Sequence, residues 1–287
     1  MSIAVIGKNG QLATELSRLA GAEVVLLERE EIDITSLDSV RTVLTELAPT
    51  SIINAAAYTA VDKAESDEDN ARLINATAVE HLATVAKELA IPLVHVSTDY
   101  VFNGDKGSPY LPHDEYEPLG VYGQTKAEGE QAITRIYPEG SCVLRTSWVY
   151  SSYGNNFVKT MLRLMNEKPQ LGVIDDQIGT PTWAKGLAQA CLFAAKQPVT
   201  GMHHWTDLGV CSWYDFAVAI QQIGLQLGLV EKAIPINPIP TSAYPTPAKR
   251  PSYSVLDKAS LNSDFKDVPK AHWQAQLQQM MEELVKA

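Results

Sequence analysis

Tyr122 and Lys126 stand four residues apart in the run Val121-Tyr122-Gly123-Gln124-Thr125-Lys126. A helix carries residues at that spacing on one face, where an ammonium can lower the pKa of a phenol and make it a proton donor to a carbonyl. Such a pair also arises on ordinary exposed helices, so the surrounding groups decide its meaning. Ser97-Thr98-Asp99 closes an apolar run upstream, with enough chain before Tyr122 to return to the same crevice. A hydroxyl, a phenol and an ammonium gathered there would polarise a carbonyl oxygen and protonate it while a hydride arrives from a cofactor. The turn Gly7-Lys8-Asn9-Gly10-Gln11-Leu12-Ala13 supplies the place for that cofactor. Gly7 permits a tight turn, Gly10 lets backbone N–H groups reach a pyrophosphate, and Ala13 keeps helix and strand close.

Other residues offer narrower chemistry. Glu28, at the end of the next apolar run, can accept from a ribose 2′-OH as NADH requires, whereas Arg29 beside it can hold the 2′-phosphate of NADPH. Both cofactors stay open. Asn54-Ala55-Ala56-Ala57 ends a third run in small side chains, as suits either a flat cofactor or plain helix–sheet packing. The acidic run Asp62, Glu65, Asp67, Glu68 and Asp69 reads as a solvated helix N-terminus, with Asp62 alone close enough to a strand end to reach a substrate. Lys249 and Arg250, in a proline-stiffened segment, suit a diphosphate. His203 and His204 have no carboxylate or cysteine at ligand spacing, so they read as structural and no metal site is expected.

These groups need a scaffold, and the apolar pattern describes one. Ile3–Gly7, Val24–Leu27, Ser51–Ala55, Pro92–Val96 and a run ending at Arg145 read as strands. Between them lie helical patterns: one through Leu12, Leu16 and Leu19, one from Ser36 to Leu47 with Asp33 or Thr35 near its start, and one long helix from about Glu68 to Ala90. Apolar strands that do not alternate, separated by helices, predict an α/β fold with a Rossmann-like doubly wound parallel sheet over residues 1–147. Beyond Trp148 the alternation lapses into a helix near residues 156–165, a polar loop at 175–181 and a helix to Lys196. Prolines at 235, 238, 240, 245, 247 and 251 predict a long shaped loop. Residues 148–287 are expected to form a smaller substrate-binding part interleaved with the first domain.

Composition limits the alternatives. A chain of 287 residues with a net charge of −11 and no basic run is a poor partner for nucleic acid. Cys142, Cys191 and Cys211 are odd in number and lack a Cys-x-x-Cys element, which argues against a disulfide framework or a zinc site and for a reducing compartment. The chain runs from Met1 straight into a strand pattern and has no apolar stretch of bilayer length, so a cytoplasmic protein without membrane contact is expected.

The glycine turn, Ser97-Thr98-Asp99 and Tyr122-x-x-x-Lys126, in that order, resemble the extended short-chain dehydrogenase/reductase superfamily. Five blocks narrow the likeness. Asn54-Ala55-Ala56-Ala57-Tyr58-Thr59-Ala60-Val61-Asp62, Ser97-Thr98-Asp99-Tyr100-Val101-Phe102, Arg145-Thr146-Ser147-Trp148-Val149-Tyr150, Asp176-Gln177-Ile178-Gly179-Thr180-Pro181-Thr182 and Ala248-Lys249-Arg250-Pro251 resemble the dTDP-4-dehydrorhamnose reductase family across nearly the whole chain. The resemblance implies reduction of the C4 ketone of a dTDP-sugar, dTDP-4-dehydro-L-rhamnose, by NADPH or NADH. It implies Tyr122 as proton donor, Lys126 lowering its pKa and holding the nicotinamide ribose, and Thr98 orienting the ketone. Gly10, Gln11, Leu12, Asp33, Ile34, Ala55, Ala56 and Ala57 would line the cofactor, and Asp99 and Trp148 would meet the sugar nucleotide. Some relatives form homodimers around Mg²⁺ held by glutamates. Glu15 is available for that, but Lys185 on the second helix concerned is a poor metal neighbour, which puts the ion in doubt while leaving a homodimer open. Dehydratases of the superfamily carry a glutamate where Tyr100 follows Asp99. Non-catalytic regulatory subunits share the fold and the blocks, and the intact Thr98, Tyr122 and Lys126 favour catalysis over that role.

Overall fold

The computed structural model describes residues 2–286. Strands β1 (Ile3–Ile6), β2 (Val24–Leu27), β3 (Ser51–Asn54), β4 (Leu93–Thr98) and β5 (Ser141–Thr146) join a sixth, Gly201–His204, in one parallel sheet. Across the sheet the order is Gly201–His204, β5, β4, β3, β1, β2. Alternate residues serve opposite faces. Ile3, Val5, Ile53 and Val94 lie under helix α1 (Gln11–Ala20) and the helix Ala184–Lys196. Ala4, Ile6, Ile52 and Leu93 pack with helix α2 (Leu37–Leu47), the helix Ala78–Glu88 and Ile133 of the helix Val121–Ile136. Both faces are covered, which is why the strands read as unbroken apolar runs. The fold is α/β and Rossmann-like. From β1 the chain winds one way to β2 and the other way through β3, so the switch point lies at the C-terminal ends of β1 and β3, where open sheets of this kind bind ligands.

Local details differ from the sequence pattern for identifiable reasons. The start of α2 is capped by Ser36, whose hydroxyl accepts from the Ser39 N–H, while Asp33 is occupied by the backbone and hydroxyl of Thr35. The expected helix from Glu68 to Ala90 runs unbroken as far as Glu88 but widens into a π-helical turn at Leu73–Thr77, between Glu68–Arg72 and Ala78–Glu88. At the wide turn Asn75 binds both backbone groups of Tyr58 (2.9 and 3.1 Å) and the Thr125 hydroxyl (3.2 Å), which apolar periodicity cannot reveal.

The division at residue 147 cuts across the main sheet, because its sixth strand and the helix Ala184–Lys196 come later in the chain. His203 and His204 sit on that edge strand, the latter buried with Nδ1 3.0 Å from the Asp257 carbonyl. The remainder of the second half has its own core, built from Tyr150, Met161, Phe216, Ile220, Trp273 and Leu277 among the helices Phe157–Glu167, Trp213–Leu227 and Trp273–Lys286. The proline-rich segment is not loop throughout: Ile236–Ile239 pairs in parallel with Leu171–Ile174. Pro238 is tolerated because this strand has a neighbour on one side only. All three cysteines are free and buried. Among the described residues no helix is long and apolar enough to cross a membrane.

Candidate active site

Gly7 has φ +103°, and a Cβ on it would stand 2.9 Å from the Ala56 nitrogen, so handedness and close approach both require glycine. The ends of β1 and β3 therefore touch at Ala55 and Ala56, with Ala57 half-buried beside them. Gly10 is the N-cap of α1, which has no side-chain cap and no acidic residue in its first turn. Its positive end and unpaired first-turn amides fit a pyrophosphate. Leu12 turns its side chain into the core, leaving only its amide for a ligand. Gln11 accepts from the Asn156 amide (3.0 Å), tying the helix start to the second half of the chain.

At the end of β2, Glu28 accepts from Lys8 (3.1 Å) and Asn9 (2.9 Å), and the Lys8 contact foremost holds its carboxyl below the usual range. Arg29 and Asp33 are exposed next to it, and Ile34 is half-buried with its carbonyl facing His81. Lys8, which sequence spacing did not single out, is a second cation at the end of β2, paired with Glu28 (3.1 Å) and Glu31 (3.6 Å).

The helix Val121–Ile136 carries Tyr122 and Lys126 and is placed by close backbone contacts. The Val121 N–H donates to Glu65 (2.9 Å), so this member of the acidic run caps the helix rather than only meeting solvent. Gly123 lies against the Tyr100 carbonyl and Gly129 against the Asn75 carbonyl, each with no room for a Cβ. Tyr122 thereby meets the end of β4, its ring edge-on to Tyr100 at 5.5 Å. Burial pushes its phenol up to about 12, opposed by a hydrogen bond to Thr98 and reinforced by the charge of Asp99. The Thr98 hydroxyl donates to Asp99 (3.0 Å) and accepts from the Tyr100 N–H (3.2 Å). Asp99 is buried, and burial raises its carboxyl to about 6 against the hydroxyls of Ser254 and Thr98.

Lys126 shares the helix face with Tyr122, yet its amine points elsewhere. It donates to the Val96 carbonyl (2.8 Å) and stands 3.1 Å from His95 Nε2. The expected lowering of the phenol by this lysine is not what the geometry yields: burial dominates at Tyr122, and burial also brings the Lys126 amine down to about 8. Spacing fixes the face a side chain leaves from; packing against β4 fixes where its end arrives.

Beyond the sheet edge, Trp148 follows β5 in a left-handed conformation (φ +49°). Its ring stacks on Trp213 at 3.6 Å and 12° and covers Gly179, where a Cβ would be 2.6 Å from the indole. Asp62 and Arg250, assigned separately from sequence, pair with each other through two bonds of 3.0 and 2.8 Å. Arg250 accordingly holds the Asp62 carboxyl below its ordinary value, and its charge also reaches Tyr100. Lys249 is exposed. Glu15 is buried against Ser151 (2.6 Å), while Lys185 pairs with Glu283 (2.8 Å) and sends its charge toward Glu15. An ammonium already stands among these carboxylates, a donor set that does not fit a divalent ion. No group of three metal-ligating side chains occurs among the described residues.

Residues 1–286 match the family model described as RmlD substrate binding domain. The dTDP-4-dehydrorhamnose reductase of Aggregatibacter actinomycetemcomitans is 41% identical over 283 residues, covering 95% of this chain and 96% of that protein. A crystal structure of a dTDP-4-dehydrorhamnose reductase from Clostridium acetobutylicum matches with a TM-score of 0.93 and 38% identity over 99% of both chains. One from Bacillus anthracis, in complex with NADP, matches with a TM-score of 0.91 and 32% identity over 99% of this chain and 100% of that one. Continuous similarity of this extent, over both halves of the molecule, makes the chain a member of the RmlD family of dTDP-4-dehydrorhamnose reductases.

Proposed function

We infer that this protein reduces the C4 ketone of dTDP-4-dehydro-L-rhamnose to dTDP-L-rhamnose with NAD(P)H. The observation that carries the reading is the meeting of Tyr122 and Thr98 beside the crevice bounded by Gly7, Gly10 and Ala55–Ala57, in a chain that matches reductases of that name end to end. Bound in the crevice, NAD(P)H supplies the hydride. The α1 N-terminus holds the pyrophosphate, and Lys8 and Arg29 favour a 2′-phosphate while Glu28 leaves NADH usable. Thr98 orients the ketone by a hydrogen bond. A phenol near 12 keeps its proton at neutral pH, so Tyr122 has one to give as negative charge develops on the carbonyl oxygen. Lys126 secures the nicotinamide ribose from the floor of the site.

The sugar nucleotide is held by the second half of the chain, with Trp148 on its stack, Asp99 below, and the Asp62–Arg250 pair at the diphosphate side. The setting we propose is the cytoplasm, where three buried free thiols stay reduced, and the working form a homodimer without a bridging ion. The test is NAD(P)H oxidation with enzymatically generated ketosugar. Tyr122→Phe should lower kcat by about 10²-fold or more with cofactor Kd unchanged. Near wild-type turnover in that variant removes Tyr122 from the reaction, and absence of turnover in the native protein favours a non-catalytic subunit.

A further inference from the structure

Trp148 holds a backbone conformation that a bulky side chain rarely adopts. At φ +49° it is the one aromatic residue in the left-handed region among the described residues, so its surroundings must fix it there. The chain around it is anchored: the Ser147 hydroxyl donates to the Thr180 carbonyl at 2.8 Å, and the Trp148 carbonyl accepts from the Thr182 N–H at 3.2 Å. These bonds aim the Cα–Cβ bond. Where the indole comes to rest is decided by what it meets.

Two neighbours grip it. Trp213 lies nearly parallel, with ring centroids 3.6 Å apart, which is closer than the roughly 4.5–7 Å of ordinary aromatic pairs, so the rings overlap and one indole face is closed to any ligand. Gly179 lies against Cε2, Cζ2 and Nε1, where a Cβ would stand 2.6 to 2.9 Å away. The two neighbours are also held to each other. Gly179 ends the strand Ile178–Gly179, which pairs antiparallel with Cys211–Ser212, Gly179 opposite Cys211, and Trp213 follows that strand directly. Ser212 and Asp215 close a reciprocal capping box there, and Phe157 backs the Trp213 ring at 4.7 Å. Gly179 has no positive φ to call for a glycine, so room for the indole is what its missing side chain provides within the block Asp176–Thr182.

We propose that Trp213 is a positioning residue for the sugar nucleotide: with Gly179 it forms a socket that seats Trp148 beyond the end of β5 and leaves only the uncovered part of the indole to the ligand. The proposal rests on the reading of Trp148 as a contact to the sugar nucleotide and deepens it. Trp148 and Trp213 are both half-buried, whereas Phe216 behind them is buried, so the pair stands at the surface of the second core rather than inside it. Trp213 acts through Trp148. Without the stack the indole regains rotamers that ligand binding must then freeze, which weakens the sugar nucleotide and leaves the cofactor untouched. A role in packing alone would lower stability and leave affinity for both ligands as it is.

Calorimetry with dTDP-L-rhamnose, the product, tests this without turnover. Trp148→Ala and Trp213→Ala should each raise its Kd about 10-fold, and the double variant no more than Trp148→Ala does, because one residue acts only through the other. Gly179→Ala, which displaces the indole with Trp213 in place, should weaken binding likewise. Trp213→Phe keeps a ring to stack on and should recover most of the affinity. NADPH Kd should stay native in every variant, and the exciton couplet of the stacked indoles in circular dichroism should vanish in Trp148→Phe and Trp213→Phe alike. A multiplicative loss of about 100-fold in the double variant overturns the proposal, since Trp213 then acts on its own. Native affinity in Trp213→Ala overturns it too; if that variant loses NADPH binding through misfolding, Gly179→Ala decides, and native affinity there overturns it. Native affinity in Trp148→Ala takes that residue away from the ligand and the socket's role with it. A native protein that neither binds dTDP-L-rhamnose nor reduces the ketosugar overturns instead the functional reading on which the proposal stands.

Discussion

Gly123→Ala is the sharpest test of how the helix Val121–Ile136 is placed. A Cβ at this position runs into the Tyr100 carbonyl oxygen, and the nearest other atoms are Pro118 Cβ at 3.0 Å and the Tyr100 carbonyl carbon at 3.0 Å. The obstacle is backbone in the turn Asp99–Val101, anchored through the Tyr100 N–H to Thr98, so no rotamer change relieves it. Helix or turn must give way by on the order of 1 Å, a misplacement that costs about 10²-fold when it separates reacting groups. Alanine favours the helix by about 1 kcal/mol, against about 1–3 kcal/mol for overpacking, so a net loss of roughly 1 kcal/mol in stability is expected. Gly186, in the helix Ala184–Lys196, is the control: the nearest atoms to its Cβ are side-chain ends at 3.6 to 3.8 Å, so Gly186→Ala should be neutral or stabilising. Urea unfolding, kcat and NADPH Kd, measured on both variants, separate the effects. The reasoning fails if Gly123→Ala keeps native kcat and gains stability as its control does.

Two further expectations concern charge. Burial raises the Asp207 carboxyl to about 8, so the folded state holds this proton more tightly than the unfolded chain, and its ionisation opposes folding. Its contribution to stability therefore falls as pH rises from the ordinary aspartate value through about 8; Asp207→Asn, whose amide oxygen can still accept the Trp183 N–H, should flatten that slope in urea titrations between pH 4 and 9. Arg250→Ala should raise KM for the ketosugar about 10-fold with little change in NADPH Kd, and, since the Asp62 pair is partly exposed, cost less than about 1 kcal/mol in stability. Equal weakening of both ligands would make the pair a structural clasp.

The sheet was legible because its signals are local. Each strand is a short apolar run, each turn residue acts on its own backbone, and a parallel sheet covered on both faces leaves no alternation to misread. The glycine turn belongs to the same class, since Gly7 and Gly10 mark a conformation and a helix start that sequence alone records. What escaped was set by contacts between distant segments. Asp62 and Arg250, 188 residues apart, looked like two independent substrate ligands until the fold paired them. Trp213 gave no sign that Trp148 would stack on it, and His95 was one apolar-strand histidine with no partner in view. The Tyr122–Lys126 spacing puts both residues on one face of one helix but says nothing of where the amine ends, because a lysine chain is long and flexible and the groups that meet it here lie on β4.

Gly123 and Gly129 carry this argument furthest. Within a helix each costs about 1 kcal/mol relative to alanine, so a propensity reading counts both against the element that carries Tyr122 and Lys126. Their worth appears only with the neighbouring backbone in place: one glycine lets the helix press on the turn after β4, the other on the π-helical turn at Asn75. Asn75 in turn grips Tyr58, at the far end of the loop that starts at Ala55. The two weak points of the helix are thus where it is brought against the turn after β4 and, through Asn75, against the loop that starts at Ala55. A sequence feature that lowers local stability and has no turn to explain it is, in this fold, the mark of a long-range approach.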